Sequence, residues 1–143
     1  MSPTKTHFSG GCVCGADRYE CAADPVLMFK CHCCQQVTGG AFFAGLLLPV
    51  SAFCLTKGRL RYHFTPSLAH GRHKRGFCPE CVSRITGGEF EQQPAEFIGI
   101  SAESLDDPGW FHAQMDVFTG DAQPWDPMDP AIPKFEQYPP PPE

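Results

Sequence analysis

Residues 76–85 read GFCPECVSRI, and the pair inside them, Cys78-Pro79-Glu80-Cys81, decides what kind of fold the chain can adopt. Two cysteines separated by two residues in a tight turn aim both thiolates at one point, as in a zinc knuckle. A knuckle supplies half of a tetrahedral site. The matching half lies near the start of the chain, in GGCVCGADRYEC (10–21), where Cys12 and Cys14 are two apart. In extended chain such residues project to the same side, so these sulfurs also converge. Cys12, Cys14, Cys78 and Cys81 are therefore expected to form a structural Cys₄ zinc site that clamps the N-terminal segment to the middle of the chain. The intervening length is no obstacle, because loop-closure entropy grows only with the logarithm of loop length. Folding and metal binding are then coupled. The run Arg72-His73-Lys74-Arg75 just before the knuckle reads either as a solvated strand face or as partial compensation for the negative charge of a four-thiolate site.

Working outward, the composition narrows the function classes. The chain has 143 residues, the size of one domain, and 14 Gly and 15 Pro cut it into pieces that suit strands and loops better than long helices. Nine cysteines are an odd count, and MSPTKTHFSGGC lacks the apolar core of a signal peptide. A reducing cytoplasm with cysteines as metal ligands is the expected setting, not a disulfide framework. A net charge of −5 without an obvious basic face argues against nucleic acid as the main partner. No apolar run reaches about 18 residues, so no membrane span is expected. Cys21 and Cys54 stand alone and are expected to behave as small buried apolar residues.

Strands are expected in GADRYECAA, PVLMFKCHC, GAFFAGLLLPV, RLRYHFT, LAHGRHKRGFC, AEFIGISA and FHAQMDVFT, with SAFCLTKG as a brief helical turn closed by Gly58. Residues 1–120 thus form one mainly β domain. Residues 121–143 hold eight of the fifteen prolines, which excludes a regular helix or inner strand. They read as an extended arm anchored by Trp125, Met128, Ile132 and Phe135 on the domain or on a second copy, leaving a homodimer open, with the last residues mobile.

A second cluster sits in FKCHCCQQVTGGAFF (29–43), where Cys31, Cys33 and Cys34 surround His32. The residues alone allow a metal centre, a redox pair of Cys33 and Cys34, or crowded core. Cys31 and Cys33 share a side of extended chain, and Cys34 joins them only if the backbone turns at Cys33. His32 points away from that side and is expected to be structural. Thr38, Gly39 and Gly40 read as the floor of a substrate cleft or as a plain turn.

The three cysteine segments GGCVCGADRYEC, KCHCCQQVTGGAFF and GFCPECVSRI, followed by SLDDPGWFHAQMDVFTGDAQPWDPMDPAIPKFE, resemble the signature of the glutathione-dependent formaldehyde-activating enzyme family, which also includes centromere protein V. The resemblance runs from about Gly10 to Phe135. It implies a β-tent fold of small antiparallel sheets around a structural zinc. It also implies a second, catalytic zinc with an open position, matched here by Cys31, Cys33 and Cys34 as both ligands and catalytic residues. The implied activity is that of a carbon–sulfur lyase, S-hydroxymethylglutathione synthase-like, acting on a glutathione hemithioacetal or another thiol adduct of a small aldehyde. The sequence departs from the family pattern twice. Val82 stands where the family has Gly, and CHCC is shorter than the family's Cys-His-Cys-x-x-Cys. The shortening keeps a second reading in play, a non-catalytic module of the same fold with only the structural zinc.

Overall fold

A computed structural model describes residues 7–33, 35–66, 72–90 and 96–137. Among them the chain forms β1 (Phe8–Gly11), β2 (Arg18–Cys21), β3 (Leu27–Cys31), the one-turn helix α1 (Gln35–Thr38), β4 (Phe43–Pro49), β5 (Phe53–Lys57), β6 (Arg61–Pro66), β7 (Arg72–Phe77), β8 (Arg84–Phe90), β9 (Phe97–Ser101) and β10 (Met115–Val117). The strands make a three-stranded sheet, β1-β2-β5, and a seven-stranded sheet, β10-β3-β4-β9-β8-β7-β6. The mainly β, tent-like arrangement expected from the sequence holds. One refinement concerns pairing: β10 runs parallel to β3, while the other paired strands are antiparallel.

The near-continuous apolar run of β4 is buried because the strand lies inside the large sheet, between β3 and β9. Leu46, Leu48, Ile85, Ile98 and Ile100 form the centre of the core, with Tyr19 and Cys21 reaching in from the small sheet. Each such side chain contributes about 1.5–3 kcal/mol when fully buried.

Polar ties join the two sheets through the segment after β9. The Tyr19 hydroxyl lies 2.6 Å from Ser104 Oγ, and the Asp106 amide donates to the Ser9 carbonyl at 3.0 Å. Gly10 sits at this junction, where an added Cβ would stand 2.3 Å from the Ser104 carbonyl oxygen. Only glycine lets the two segments approach so closely.

The local differences from expectation have simple causes. The helical turn expected in SAFCLTKG is a single turn at its edge, Val50–Ala52, and Phe53–Lys57 is strand β5 paired with β2. Strand β8, absent from the expected strands, runs through Gly87-Gly88 between β7 and β9. Strand β1 carries Gly10 and Gly11, which weaken its strand signal. Strand β10 occupies only the end of FHAQMDVFT.

Residues of the C-terminal arm lie along β10. The Asp116 amide donates to the Pro133 carbonyl and the Phe135 amide to that of Asp116, at 3.0 and 2.9 Å. The residues after 137 lie outside the described residues.

Candidate metal centre

The first centre is built from two turns. After β1 the chain reverses over Cys12–Asp17, closed by hydrogen bonds from the Cys12 amide to the Asp17 carbonyl and from the Gly15 amide to the Cys12 carbonyl, both 3.2 Å. Between β7 and β8 the knuckle is closed by the Val82 amide on the Cys78 carbonyl (2.9 Å) and the Cys78 amide on the Ser83 carbonyl (3.0 Å). These turns bring the sulfurs of Cys12, Cys14, Cys78 and Cys81 within 4.8 Å of one another. Cys14 Sγ stands 3.6 Å from Cys12 Sγ and 3.8 Å from Cys78 Sγ. A tetrahedral zinc with Zn–S of about 2.3 Å has S···S edges of about 3.8 Å. The cluster can hold a metal ion, and its donors and spacing suit zinc.

Backbone amides reach two of the sulfurs. The Asp17 amide donates to Cys12 Sγ at 3.2 Å, and the Glu80 and Cys81 amides donate to Cys78 Sγ at 3.3 and 3.5 Å. Hydrogen bonds from Ser83, first its side chain and then its backbone, pull the Cys81 thiol down to about 5. The same hydroxyl accepts the Val13 amide, so Ser83 touches both halves of the cluster. Val82 adopts φ +67°, a left-handed conformation that a β-branched residue rarely takes. This is the position where the resemblance implies Gly. The turn is retained with its strain.

Cys31 ends β3, paired with Phe43 of β4 on one side and Val117 of β10 on the other. Its Sγ lies 3.2 Å from Cys33 Sγ, so the two thiols face the same way. Cys34 lies outside the described residues. The helical turn α1 follows and ends at Gly39, whose φ of +74° lets its amide reach the Gln35 carbonyl at 2.8 Å.

His32 points the other way and is fully buried, as are the two carboxylates that flank it. Its Nε2 lies 2.8 Å from Asp116 Oδ1, and its Nδ1 is hydrogen-bonded to Asp126 Oδ2. A carboxylate oxygen thus stands against each ring nitrogen. Lys134 Nζ reaches Asp116 Oδ2 at 3.2 Å, and the Phe42 ring covers the imidazole.

A cleft of about 560 Å³ opens beside the first centre, with Cys12 and Ser83 in its wall. Arg18, Arg84, Glu103 and Asp106 line it with both signs of charge, together with Thr38 of α1 and Phe43, the cross-strand partner of Cys31. Arg84 stacks over Phe43 at 4.6 Å, and Arg18 grips Asp106 with two hydrogen bonds.

The family model of the glutathione-dependent formaldehyde-activating enzymes matches residues 7–121. The chain belongs to that family. A crystal structure of a Rhodobacter sphaeroides protein shares its fold, with a TM-score of 0.55 at 16% identity over 88% of this chain and 98% of the other. None of the curated proteins matches significantly. Among the described residues, no helix of this formaldehyde-activating family member is long and apolar enough to cross a membrane.

Several expected placements need correction. Cys21 is buried, and burial pushes its thiol up to about 12, but Cys54 is exposed. The alternation of β5 turns Phe53 and Leu55 toward the core and Cys54 away. Trp125 is 66% exposed and does not pack into this chain's core; among the described residues of the arm the buried one is its neighbour Asp126. The basic run packs along β6: Arg72 stacks on Phe64, Lys74 on Tyr62, and Arg75 donates to Thr65. Ser83, Asp116 and Asp126 join the two centres without any signal in the sequence. Asp116 and Asp126 act on His32 from 84 and 94 residues away, and Ser83 joins Cys81 to Val13, 70 residues off, so local spacing does not mark these roles.

Proposed function

We propose that the protein is a zinc-dependent carbon–sulfur lyase-type enzyme, S-hydroxymethylglutathione synthase-like, working on a thiol adduct of a small aldehyde in the cytoplasm. Cys12, Cys14, Cys78 and Cys81 hold a structural zinc. Cys31 and Cys33, with Cys34, hold a second zinc and form the catalytic centre. The observation that carries this reading is the 3.2 Å approach of the Cys31 and Cys33 sulfurs at the end of β3, a half-buried strand whose cross-strand residue Phe43 lines the cleft.

Zinc bound by three thiolates supplies modest Lewis acidity and one open position. The rest falls to the chain. Addition of a thiol to formaldehyde is intrinsically easy, so holding the two reactants together and oriented accounts for most of the required acceleration. Arg84, Glu103 and the Arg18–Asp106 ion pair line the cleft, a mixture of charges that suits glutathione, which carries carboxylates and an ammonium group. Phe43 and Thr38 bring that cleft up to the thiol loop. Nucleic acid is not a partner in this reading, and a homodimer formed through the arm is compatible with it.

The deciding experiment pairs metal analysis with an assay of S-hydroxymethylglutathione formation from formaldehyde and glutathione. Two zinc ions per chain and acceleration over the spontaneous reaction are expected. One ion per chain and no acceleration would make the protein a binding module with a structural metal alone.

A further inference from the structure

The family match ends at residue 121, yet the buried partners of the thiol loop extend past it. Every polar group of His32 is engaged. Its amide donates to the Val117 carbonyl at 3.1 Å, and its carbonyl accepts from Gln35 Nε2 at 2.8 Å. Its ring lies between Asp116 and Asp126. Gln35 Nε2 also reaches the Asp121 carbonyl at 2.7 Å, fastening the start of α1 to the same segment. Beyond that, Lys134 bonds Asp116 and the carbonyls of Asp129 and Ile132.

We infer that Asp126 and Lys134 are positioning residues for the Cys31–Cys33 pair, acting through the buried imidazole of His32. The geometry gives the reason. A residue between two cysteines sets the direction of both: with its own side chain locked on one face, its neighbours must project from the other. Lys134 orients Asp116, and Asp116 and Asp126 between them fix the ring plane. A buried group of charges such as this one adds little net stability over well-packed apolar side chains, so its value lies in the geometry it imposes. In this respect it resembles the outer partners that orient metal-binding side chains. The arm is thereby part of the centre and not a tether. The positioning role rests on the proposed function, in which the Cys31–Cys33 pair is the reactive centre.

The test uses the full chain and phenylarsine oxide, a reagent that bridges two thiols facing one way, with the bridged cysteines mapped by peptide mass spectrometry. Asp126→Ala is expected to weaken bridging of Cys31 and Cys33 by about 10–100-fold, the usual effect of losing an outer partner. Circular dichroism and the metal content of the Cys12/Cys14/Cys78/Cys81 cluster should stay as in the wild type. Asp126→Asn, which still offers an acceptor to the ring, should restore most of the bridging. Lys134→Met, at a partly exposed side chain, should give a smaller loss in the same direction. Wild-type bridging in folded Asp126→Ala overturns the inference. If that variant does not fold, wild-type bridging in Lys134→Met does so. The zinc count of the wild type answers a separate question: one ion per chain would sink the second metal site and leave the positioning role of Asp126 and Lys134 standing.

Discussion

Cys81 Sγ and Ser83 Oγ lie 3.1 Å apart, and the Val13 amide donates to the same hydroxyl at 3.1 Å, so one small side chain joins the knuckle to the N-terminal cysteine pair. Ser83→Ala removes both contacts. Val13 is largely exposed, so its amide can turn to water, and the stability loss should be about 1 kcal/mol. Metal affinity should fall by about tenfold or more. Competition against a chromophoric chelator measures it, and an unchanged affinity would leave Ser83 without a part in the centre.

Cys78 is buried between the two halves of the cluster and accepts two backbone amides. Cys78→Ser should lower the metal content by one ion per chain and give insoluble or unfolded protein. Zinc sites of this type contribute about 10–16 kcal/mol, more than the whole stability of most small domains. A soluble variant with unchanged metal content would show that the fold stands without the cluster.

Cys31→Ala should behave in the opposite way. The folded core does not depend on this half-buried thiol, so cooperative unfolding should persist while turnover of a hydroxymethyl-thiol substrate is lost. Equal turnover in variant and wild type would end the catalytic claim for this pair.

Val82 offers a gain. Left-handed backbone costs a residue with a Cβ about 1–2 kcal/mol, and the added flexibility of glycine in the unfolded chain returns up to about 1 kcal/mol of that. Val82→Gly should therefore stabilise the metal-loaded protein by about 1 kcal/mol, raising Tm by several degrees. A lowered Tm would mean that the exposed valine side chain makes contacts worth more than the strain.

Asp106 is the site for an acid-limb test. Hydrogen bonds from Arg18 and then Ser9 hold its carboxyl down to about 2. A depressed carboxyl stabilises the fold fully above its unfolded value of about 3.9, and that stabilisation is lost as pH falls through about 2. The stability difference between wild type and Asp106→Asn should be constant at neutral pH and shrink below about pH 4. Both partners are more than a third exposed, so the full difference should be under about 1 kcal/mol. Denaturant titrations of the two proteins across that range decide it; a difference independent of pH would assign the effect to packing.

What was legible in the chain was what local spacing encodes. Cys78 and Cys81 in one turn, Cys12 and Cys14 in one extended segment, and the apolar run of β4 each advertise their geometry within a few residues. Burial on one face of β5 was not legible, because Cys54 differs from Phe53 and Leu55 only by register against β2. Nor was the environment of His32. Its carboxylates come from a strand and an arm whose approach is set by the parallel pairing of β10 with β3, and no short motif carries such a pairing. Strands β1 and β8 were not legible for the converse reason: Gly10-Gly11 and Gly87-Gly88 weaken the strand pattern, and pairing with neighbouring strands supplies it.

The bond between His32 and Asp126 spans 94 residues, and β10 must cross to β3 over a comparable distance. During synthesis the thiols at 31 and 33 therefore leave the ribosome long before the segment that aims them. The hairpins of β3–β4, β6–β7 and β7–β8 need only local closure and should form first. The nascent protein thus passes through a stage in which its thiol loop is made but loose, open to alkylation, oxidation and stray metal. Pulsed thiol labelling during refolding would show it as protection of Cys31 and Cys33 arriving with the last kinetic phase, and protection in the earliest phase would refute this order.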